Sequence, residues 1–330
     1  MTVTIRDIAE KTGFSTATVS RALSNYGYVS EEKRRIITDC AEKMQYTPNM
    51  IAKSMVKRQT KTIGIVIADI KDPFYLDIIE KIEALANAIN YSVLLCNSNE
   101  SASKENKNIR MMLERMVDGV IIVPVAETLE ESGKSRPFDD LVRNKVPFVF
   151  IDRTNSHVQT DVVMLDNYNT SFRSMGMLIE RGYKNICIVY DPYTMAADRT
   201  EGVIASCRAR GYEIPSENWV CCDREAEHVY IKVRDHLLHH SCDALFALEN
   251  RMTIGSLRAI NELKLEINKD IYVLGFDDVK LYNQLIPQGI GVIQQPVEML
   301  CKYAMEMLRE RMDGRKTPSR TLRLEGEIRL

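Results

Sequence analysis

Two sets of residues in this sequence have the types and spacing to do chemistry. In the first, Thr16, Ala17, Ser20 and Arg21 stand at offsets of one, four and five, so a helix carries them on one face. Such a face is slim enough for the major groove of a nucleic-acid duplex. Thr and Ala methyls can touch a thymine methyl, hydroxyls can bond bases or phosphates, and Arg can pair in two places with guanine. The plainer reading is a tight helical hairpin with a solvated face. The second set follows short apolar runs: Asp69, Asp72-Pro73-Phe74-Tyr75, Asp152-Arg153, Arg199, Asp223, Glu249-Asn250 and Asp277-Asp278. Carboxylates, a guanidinium and aromatic faces meeting in one cleft offer a polyhydroxylated ligand fixed partners for its hydroxyls and an apolar face for its ring carbons. Each loop-end acid taken singly reads equally well as a helix cap.

The first set needs helices to present it. Thr4 followed by Asp7 is a capping-box pattern, with Ile5, Ile8 and Ala9 as one apolar stripe and Gly13 as a stop. Ser15 can cap a second helix whose inward residues are Val19, Ala22 and Leu23, which completes a helix-turn-helix. Ser30, with Glu31 and Glu32 behind it, starts a third helix with the stripe Ile36, Ile37, Cys40, Ala41 and Met44. In that helix Lys33-Arg34-Arg35 either contacts phosphate or is simply solvated. Residues 49–58, NMIAKSMVKR, have helical spacing at Ile51, Met55 and Val56 but are too few to hold a helix unaided. They would fold on a partner, or else form a basic linker. Residues 1–62 carry 11 Lys and Arg against 6 Asp and Glu, on a chain whose net charge is -2. A basic head on an acidic body suits a phosphate-facing domain attached to one with another task.

The second set needs sheets. Its 330 residues, 45% apolar, have room for more than one core. Apolar runs at 63–68, 92–96, 119–123 and 148–151 alternate with helical stretches at 75–89, 104–116 and 138–143, which predicts a parallel α/β lobe. A second series has strands at 185–190, 219–222, 244–247 and 271–275 and helices at 168–181, 199–210, 226–239 and 252–263. Residues 297–312 read as a late helix, 321–330 as a closing strand, and the lobes exchange segments near Asp161 and Val292. The expected class is α/β, with a helix-turn-helix headpiece at 1–47, a hinge at 48–60 and a two-lobed core of parallel sheets flanked by helices at 61–330. Ligands of such sheets bind beyond the carboxyl ends of the strands, where the second set of residues stands.

Several classes are disfavoured. There is no apolar leader or membrane-spanning run, so a cytoplasmic protein without membrane contact is expected. The eight Cys are scattered, with no C-x-x-C, and read as free, mostly buried thiols; no metal and no cofactor is assigned. His236, His239 and His240 beside Asp235 include a pair four apart that can bind zinc, but no further ligand is placed by the sequence and a wet helix face is the expectation. With no G-x-G-x-x-G after the first strand and no P-loop, a binding function is favoured over catalysis. The alternative is a cytosolic sugar-binding or sugar-transforming enzyme that uses the cleft carboxylates.

Four stretches, TIRDIAEKTGFSTATVSRAL, YTPNMIAKSM, IGIVIADIKDPFY and VLGFDD, give a specific likeness. Through them the chain resembles the LacI/GalR family of bacterial transcription regulators over almost its whole length. The resemblance implies a homodimer that represses transcription by reading a palindromic double-stranded operator. A hinge helix would fold in the minor groove, and a periplasmic-binding-protein-like core would bind a small effector: a sugar or sugar acid, with a nucleoside less favoured. It places base reading on Thr16, Ala17 and Arg21, with Thr4, Ser15, Thr18 and Ser20 as further DNA contacts and Asn49, Ala52, Lys53 and Met55 as hinge contacts. Met55 stands where the family usually wedges Leu into the groove. Effector contacts map to Asp69, Phe74, Tyr75, Asp152, Arg199, Phe246, Glu249 and Asp277. Glu249 departs from the family's usual Asn; its charge disfavours a carboxylate ligand, whereas Arg199 favours one. The absence of a heptad tail after Leu330 favours a dimer over a tetramer.

Overall fold

Helix α1 (Ile5–Thr12) begins where Thr4 Oγ1 accepts from the Asp7 amide and the Asp7 carboxylate accepts from the Thr4 amide at 2.7 Å, a reciprocal capping box. It ends at Gly13, whose φ of 73° suits a residue without a Cβ. In this computed structural model the described residues are 3–24, 27–46, 59–126, 128, 137–155, 157–192, 194–223, 225–277, 286 and 289–330. The Ser15 hydroxyl accepts from the Thr18 amide at 3.2 Å to start α2 (Thr16–Ser24), and α3 (Glu31–Lys43) follows. Ile8, Ala9, Val19, Ala22, Ile37 and Ala41 form a core among the three described helices of the first unit, residues 1–60.

The start of α3 at Ser30 is as expected, but its cap bond and part of its apolar stripe are not. Ser30 occupies the cap position without a side-chain cap bond, and Ile36 is 43% exposed. The stripe instead follows Ile37 and Ala41, four apart, which leaves Ile36 on the rim. Arg34 is held by the fold, since its Nη1 donates to the Ala22 carbonyl at 3.0 Å and joins α3 to the end of α2.

Residues 61–330 form the second unit. Its first lobe contains β1 (Thr62–Ile67), α4 (Pro73–Ala88), β2 (Ser92–Asn97), α5 (Ala102–Glu114), β3 (Gly119–Ile122), α6 (Pro137–Arg143), β4 (Phe148–Ile151) and β5 (Asp161–Leu165). The second contains α7 (Asn167–Glu180), β6 (Ile186–Tyr190), α8 (Thr194–Arg210), β7 (Trp219–Cys221), α9 (Ala226–His239), β8 (Ala244–Ala247), α10 (Asn250–Glu262), β9 (Tyr272–Phe276) and β10 (Gly291–Gln294). The chain then returns to the first lobe as α11 (Val297–Met312) and β11 (Thr321–Leu324), and ends in the second as β12 (Glu327–Arg329).

The sheet orders are β11-β5-β4-β3-β1-β2 and β12-β10-β9-β8-β6-β7, so the lobes share one topology. All pairings are parallel except β10 with β12. Successive strand residues face opposite sides, so Ile63, Ile65 and Ile67 pack under α4 and α11 while Val66, Val120 and Ile122 pack under α5 and α6. In the second lobe Ile186, Ile188 and Phe246 meet α7 and α8, and Val189, Leu245 and Val273 meet α9 and α10. Both faces are covered, as near-continuous apolar strands require.

The expected exchanges near Asp161 and Val292 are present, but the single closing strand is not. Residues 321–330 split into β11 in one sheet and β12 in the other. The break falls at Gly326, where an added Cβ would lie 2.9 Å from Thr170 Cγ2, so the crossing is too close for a larger residue. Asp161 anchors the returning segment. Its buried carboxylate accepts from Arg311 Nε at 2.8 Å, Arg311 Nη2 at 3.0 Å and the Arg320 amide at 2.8 Å. Burial pushes this carboxyl up, but the bonds from Arg311 and Arg320 outweigh it and hold it below the ordinary Asp value of 3.8. Among the described residues no helix is long and apolar enough to cross a membrane.

Arg311→Ala leaves the Asp161 charge buried without its main partner. Urea denaturation at neutral pH should show a loss of about 2–3 kcal/mol. Because the folded-state value of Asp161 is depressed, its contribution is present above the unfolded value of 3.8 and fades as pH falls below it, so the gap between variant and parent should narrow in acid.

Candidate functional site

On α2 the side chains of Val19 and Ala22 turn inward, and Thr16, Ala17, Ser20 and Arg21 are all exposed. Gly27 lies beside the Arg21 stem, where a Cβ would come within 3.3 Å of Arg21 Cδ. Thr4 and Ser15 are exposed and occupied in caps, and Thr18 is half-buried with its hydroxyl 2.9 Å from Ser15 Oγ. Asn49, Ala52, Lys53 and Met55 lie outside the described residues, as does Asp278.

The cleft opens at the carboxyl ends of both sheets, beside the switch points between β1 and β3 and between β6 and β8. Phe74, Tyr75 and Leu248 supply its apolar lining. Asp152 and Asp277 occupy equivalent positions after β4 and β9. Both have left-handed backbones, φ 69° and 68°, and both donate their amide to the neighbouring strand, to Val163 and Ile293, at 2.9 Å. Asp tolerates this conformation better than most residues. The Asp152 carboxylate accepts from Tyr75 Oη at 3.0 Å, and that of Asp277 from Gln295 Nε2 at 2.7 Å.

Arg199 stands between these acids with its guanidinium 3.8 Å from the Phe276 ring centroid. Its Nε donates to Asn167 Oδ1 at 2.7 Å and its Nη1 to the Leu248 carbonyl at 2.6 Å. Arg153 is held by the Glu100 carboxylate at 2.9 Å and the Pro124 carbonyl at 3.2 Å. Burial raises Asp152 above its ordinary value against the opposing pull of Arg153 and Arg199. Burial raises Asp277 to about 7, with Arg199 opposing and Asp72 and Glu249 reinforcing the rise.

Two contacts join the lobes at the mouth of the cleft. Arg251 Nη2 meets Asp69 Oδ2 at 2.5 Å, and Asn250 Nδ2 donates to Asp72 Oδ1 at 3.3 Å. Glu249 and Asp72 also cap α10 and α4 by accepting from the Arg251 amide at 2.9 Å and the Phe74 amide at 3.0 Å. The cap and cleft readings therefore describe the same side chains.

The expected effector set needs correction at two positions. Phe246 is fully buried and stacks on Phe276 at 6.1 Å, so it lies one layer behind the cleft and Phe276 meets Arg199 instead. Asp69 is committed to Arg251 and is not part of the lining. Asp223 also fails to reach the cleft. It follows the edge strand β7 and pairs with His228 at 2.7 Å. Sequence reasoning missed Asp191, Gln295, Phe276 and Arg251, although Asp191 and Gln295 directly follow β6 and β10 and could have been found by the rule that found the others. The three neighbouring histidines divide: His239 and His240 are exposed, but His236 is only 7% exposed, with Nε2 3.3 Å from Cys242 Sγ.

A helix-turn-helix with a slim polar face, in one chain with two doubly wound lobes that share a polar cleft, defines the class of ligand-responsive DNA-binding regulators. Known proteins make the class specific. The profile of bacterial regulatory proteins of the lacI family matches residues 4–49, and that of the periplasmic binding protein-like domain matches residues 175–329. The chain is 30% identical to the probable HTH-type transcriptional regulator EndR of Paenibacillus polymyxa, over 96% of this chain and 92% of that protein. It is 28% identical to the ribose operon repressor of Halalkalibacterium halodurans, over 99% and 95% of the two chains. Its fold is similar to that of the Lac repressor dimer bound to operator and the anti-inducer ONPF, with a TM-score of 0.85 at 20% identity over 99% and 98% of the chains. The protein belongs to the LacI family of bacterial transcriptional regulators.

Asp277 makes stability depend on pH. Its folded-state value of about 7 exceeds the unfolded 3.8, so the folded protein holds the proton more tightly, and stability is lost as pH rises through that window. Glu105, raised by burial to about 7, acts in the same direction. Unfolding free energies from urea titrations across the window should fall with pH, by up to about 1.4 kcal/mol per pH unit for each group. Asp277→Asn should remove its share of the slope; an unchanged slope would contradict the assignment.

Proposed function

We propose that the protein is a homodimeric repressor that reads a palindromic operator through Thr16, Ala17, Ser20 and Arg21, supported by Thr4, Ser15 and Thr18, and that a neutral sugar in the cleft controls it. The face of α2 supports the first half: four residues with groove chemistry are exposed together on a helix whose other side is core. In the hinge, Asn49, Ala52 and Lys53 are assigned to DNA and Met55 to the apolar wedge, by resemblance to the family.

The single observation that carries the effector class is the charge of the lining. Among the described lining residues, Asp72, Asp152, Asp191, Glu249 and Asp277 stand against the cations Arg153 and Arg199, and both guanidiniums already bond to groups of the protein. An excess of carboxylates disfavours a sugar acid and favours hydroxyl donors, with Phe74 and Tyr75 to meet ring carbons. The similarity to a ribose operon repressor agrees with a sugar. Bound ligand would favour one relative placement of the lobes, and this placement would set whether the two hinges of the dimer can fold on DNA together. DNA and effector then couple reciprocally.

The test is selection of binding sites from a random DNA pool, followed by operator titration with a panel of neutral sugars, sugar acids and nucleosides. A palindromic site released by one neutral sugar, which is recovered unchanged, is the expected result. Failure to enrich any sequence would overturn the DNA reading, and a response to a sugar acid alone would overturn the effector class. Arg21→Ala should lower affinity for the selected site by at least about tenfold over nonspecific DNA and leave sugar affinity intact, with Asp277→Ala doing the reverse.

A further inference from the structure

Away from the cleft, at the amino edge of the second sheet, three soft donors come together from distant parts of the chain. Cys187 is the second residue of β6, His236 lies in the last turn of α9, and Cys242 precedes β8 by two residues. One ligand atom from each lies within 4.8 Å of the other two, and His236 Nε2 is 3.3 Å from Cys242 Sγ. Tetrahedral zinc, with bonds near 2.3 Å to sulfur and near 2.0 Å to imidazole nitrogen, requires edges of about 3.5 Å between nitrogen and sulfur and about 3.8 Å between sulfurs. The His236–Cys242 pair is already close to that spacing, and the distances to Cys187 Sγ, within 4.8 Å, need shorten by no more than about 1.3 Å.

We propose that Cys187, His236 and Cys242 form a binding site for a thiophilic divalent cation of the zinc class, with a water in the fourth position. The donor set selects the ion, since thiolates and an imidazole suit zinc and disfavour calcium or magnesium. Charge agrees. Each thiol gives its proton to solvent on binding, so two thiolates and one divalent cation leave a neutral centre, as the surrounding apolar core of Val229, Val233 and Leu245 requires. His240 stacks on the His236 ring at 4.7 Å with a 14° interplanar angle, which holds the imidazole plane. Half-exposed Cys242 leaves an entry path on one side. The ion would fasten α9 to β6 and to the segment entering β8, clamping a lobe whose opposite edge forms part of the cleft.

The test uses the full-length protein, reduced and dialysed against Co2+ and, separately, Zn2+. One Co2+ per chain should give a near-ultraviolet thiolate-to-cobalt band and intense visible bands of tetrahedral geometry. Zinc should abolish both and raise Tm. Cys187→Ser with Cys242→Ser should remove the bands and the Tm shift, and His236→Gln, which keeps most of the side-chain volume, should weaken Co2+ binding at least tenfold. Cys222→Ser, at the neighbouring buried thiol, should change neither. Bands that survive the double substitution, or Co2+ binding without a thiolate band, would overturn the proposal. So would a wild-type thiol count that falls by two in air and recovers with reductant while Co2+ gives no band, since the pair would then be a disulfide couple.

Discussion

The guanidinium of Arg199 is the charge on which the cleft depends. It lies on the Phe276 ring and is fixed by Asn167 and the Leu248 carbonyl, so its position owes little to solvent. Buried carboxylates on both lobes face it, and its attraction opposes the burial that raises Asp152 and Asp277. The balance is incomplete, because the described lining residues include more acids than guanidiniums. A ligand whose hydroxyls donate to those acids relieves the imbalance, and an anion worsens it. The proposed preference for a neutral sugar rests on charges that the fold has already oriented.

That orientation comes from a repeated construction. The two sheets share one strand order, and each places an Asp in a left-handed conformation at the end of its fourth strand. The backbone reversal turns each side chain into the cleft while its amide still bonds to the neighbouring strand. Three passages between lobes, after β5, after β10 and at Gly326, make the two halves one unit. The Asp161 cluster ties the returning helix and strand into the first lobe, so relative movement must be taken up in these short passages. Arg251 with Asp69 and Asn250 with Asp72 make direct contacts between the two lobes.

The headpiece obeys a different constraint. Three short helices enclose a core of six buried residues, so nearly every inward position is occupied by packing and little of α2 is left to do anything but face outward. Local devices do much of the work there: the Thr4–Asp7 box, the Gly13 stop, and the Arg34 bond that closes the end of α2. The face proposed to read DNA and the face that packs in the core lie on opposite sides of the same nine-residue helix.

Much was legible in the sequence because it is local. Caps and periodicities placed α1 and α2, and the span 226–239 was expected residue for residue, as was 297–312. The rule that ligands meet the carboxyl ends of strands led to Asp152, Glu249 and Asp277, because a strand followed by an acid is a local pattern. What the sequence did not decide is which of these residues converge. Asp223 follows a strand like the others but β7 lies at a sheet edge, and Phe246 is aromatic but faces the layer behind. His236 was read with His239 and His240 as a wet face, although the helix turns it inward toward Cys187 and Cys242, some fifty and six residues away. Sheet order and the direction of a buried face are set by packing among distant segments, so only the tertiary structure determines them.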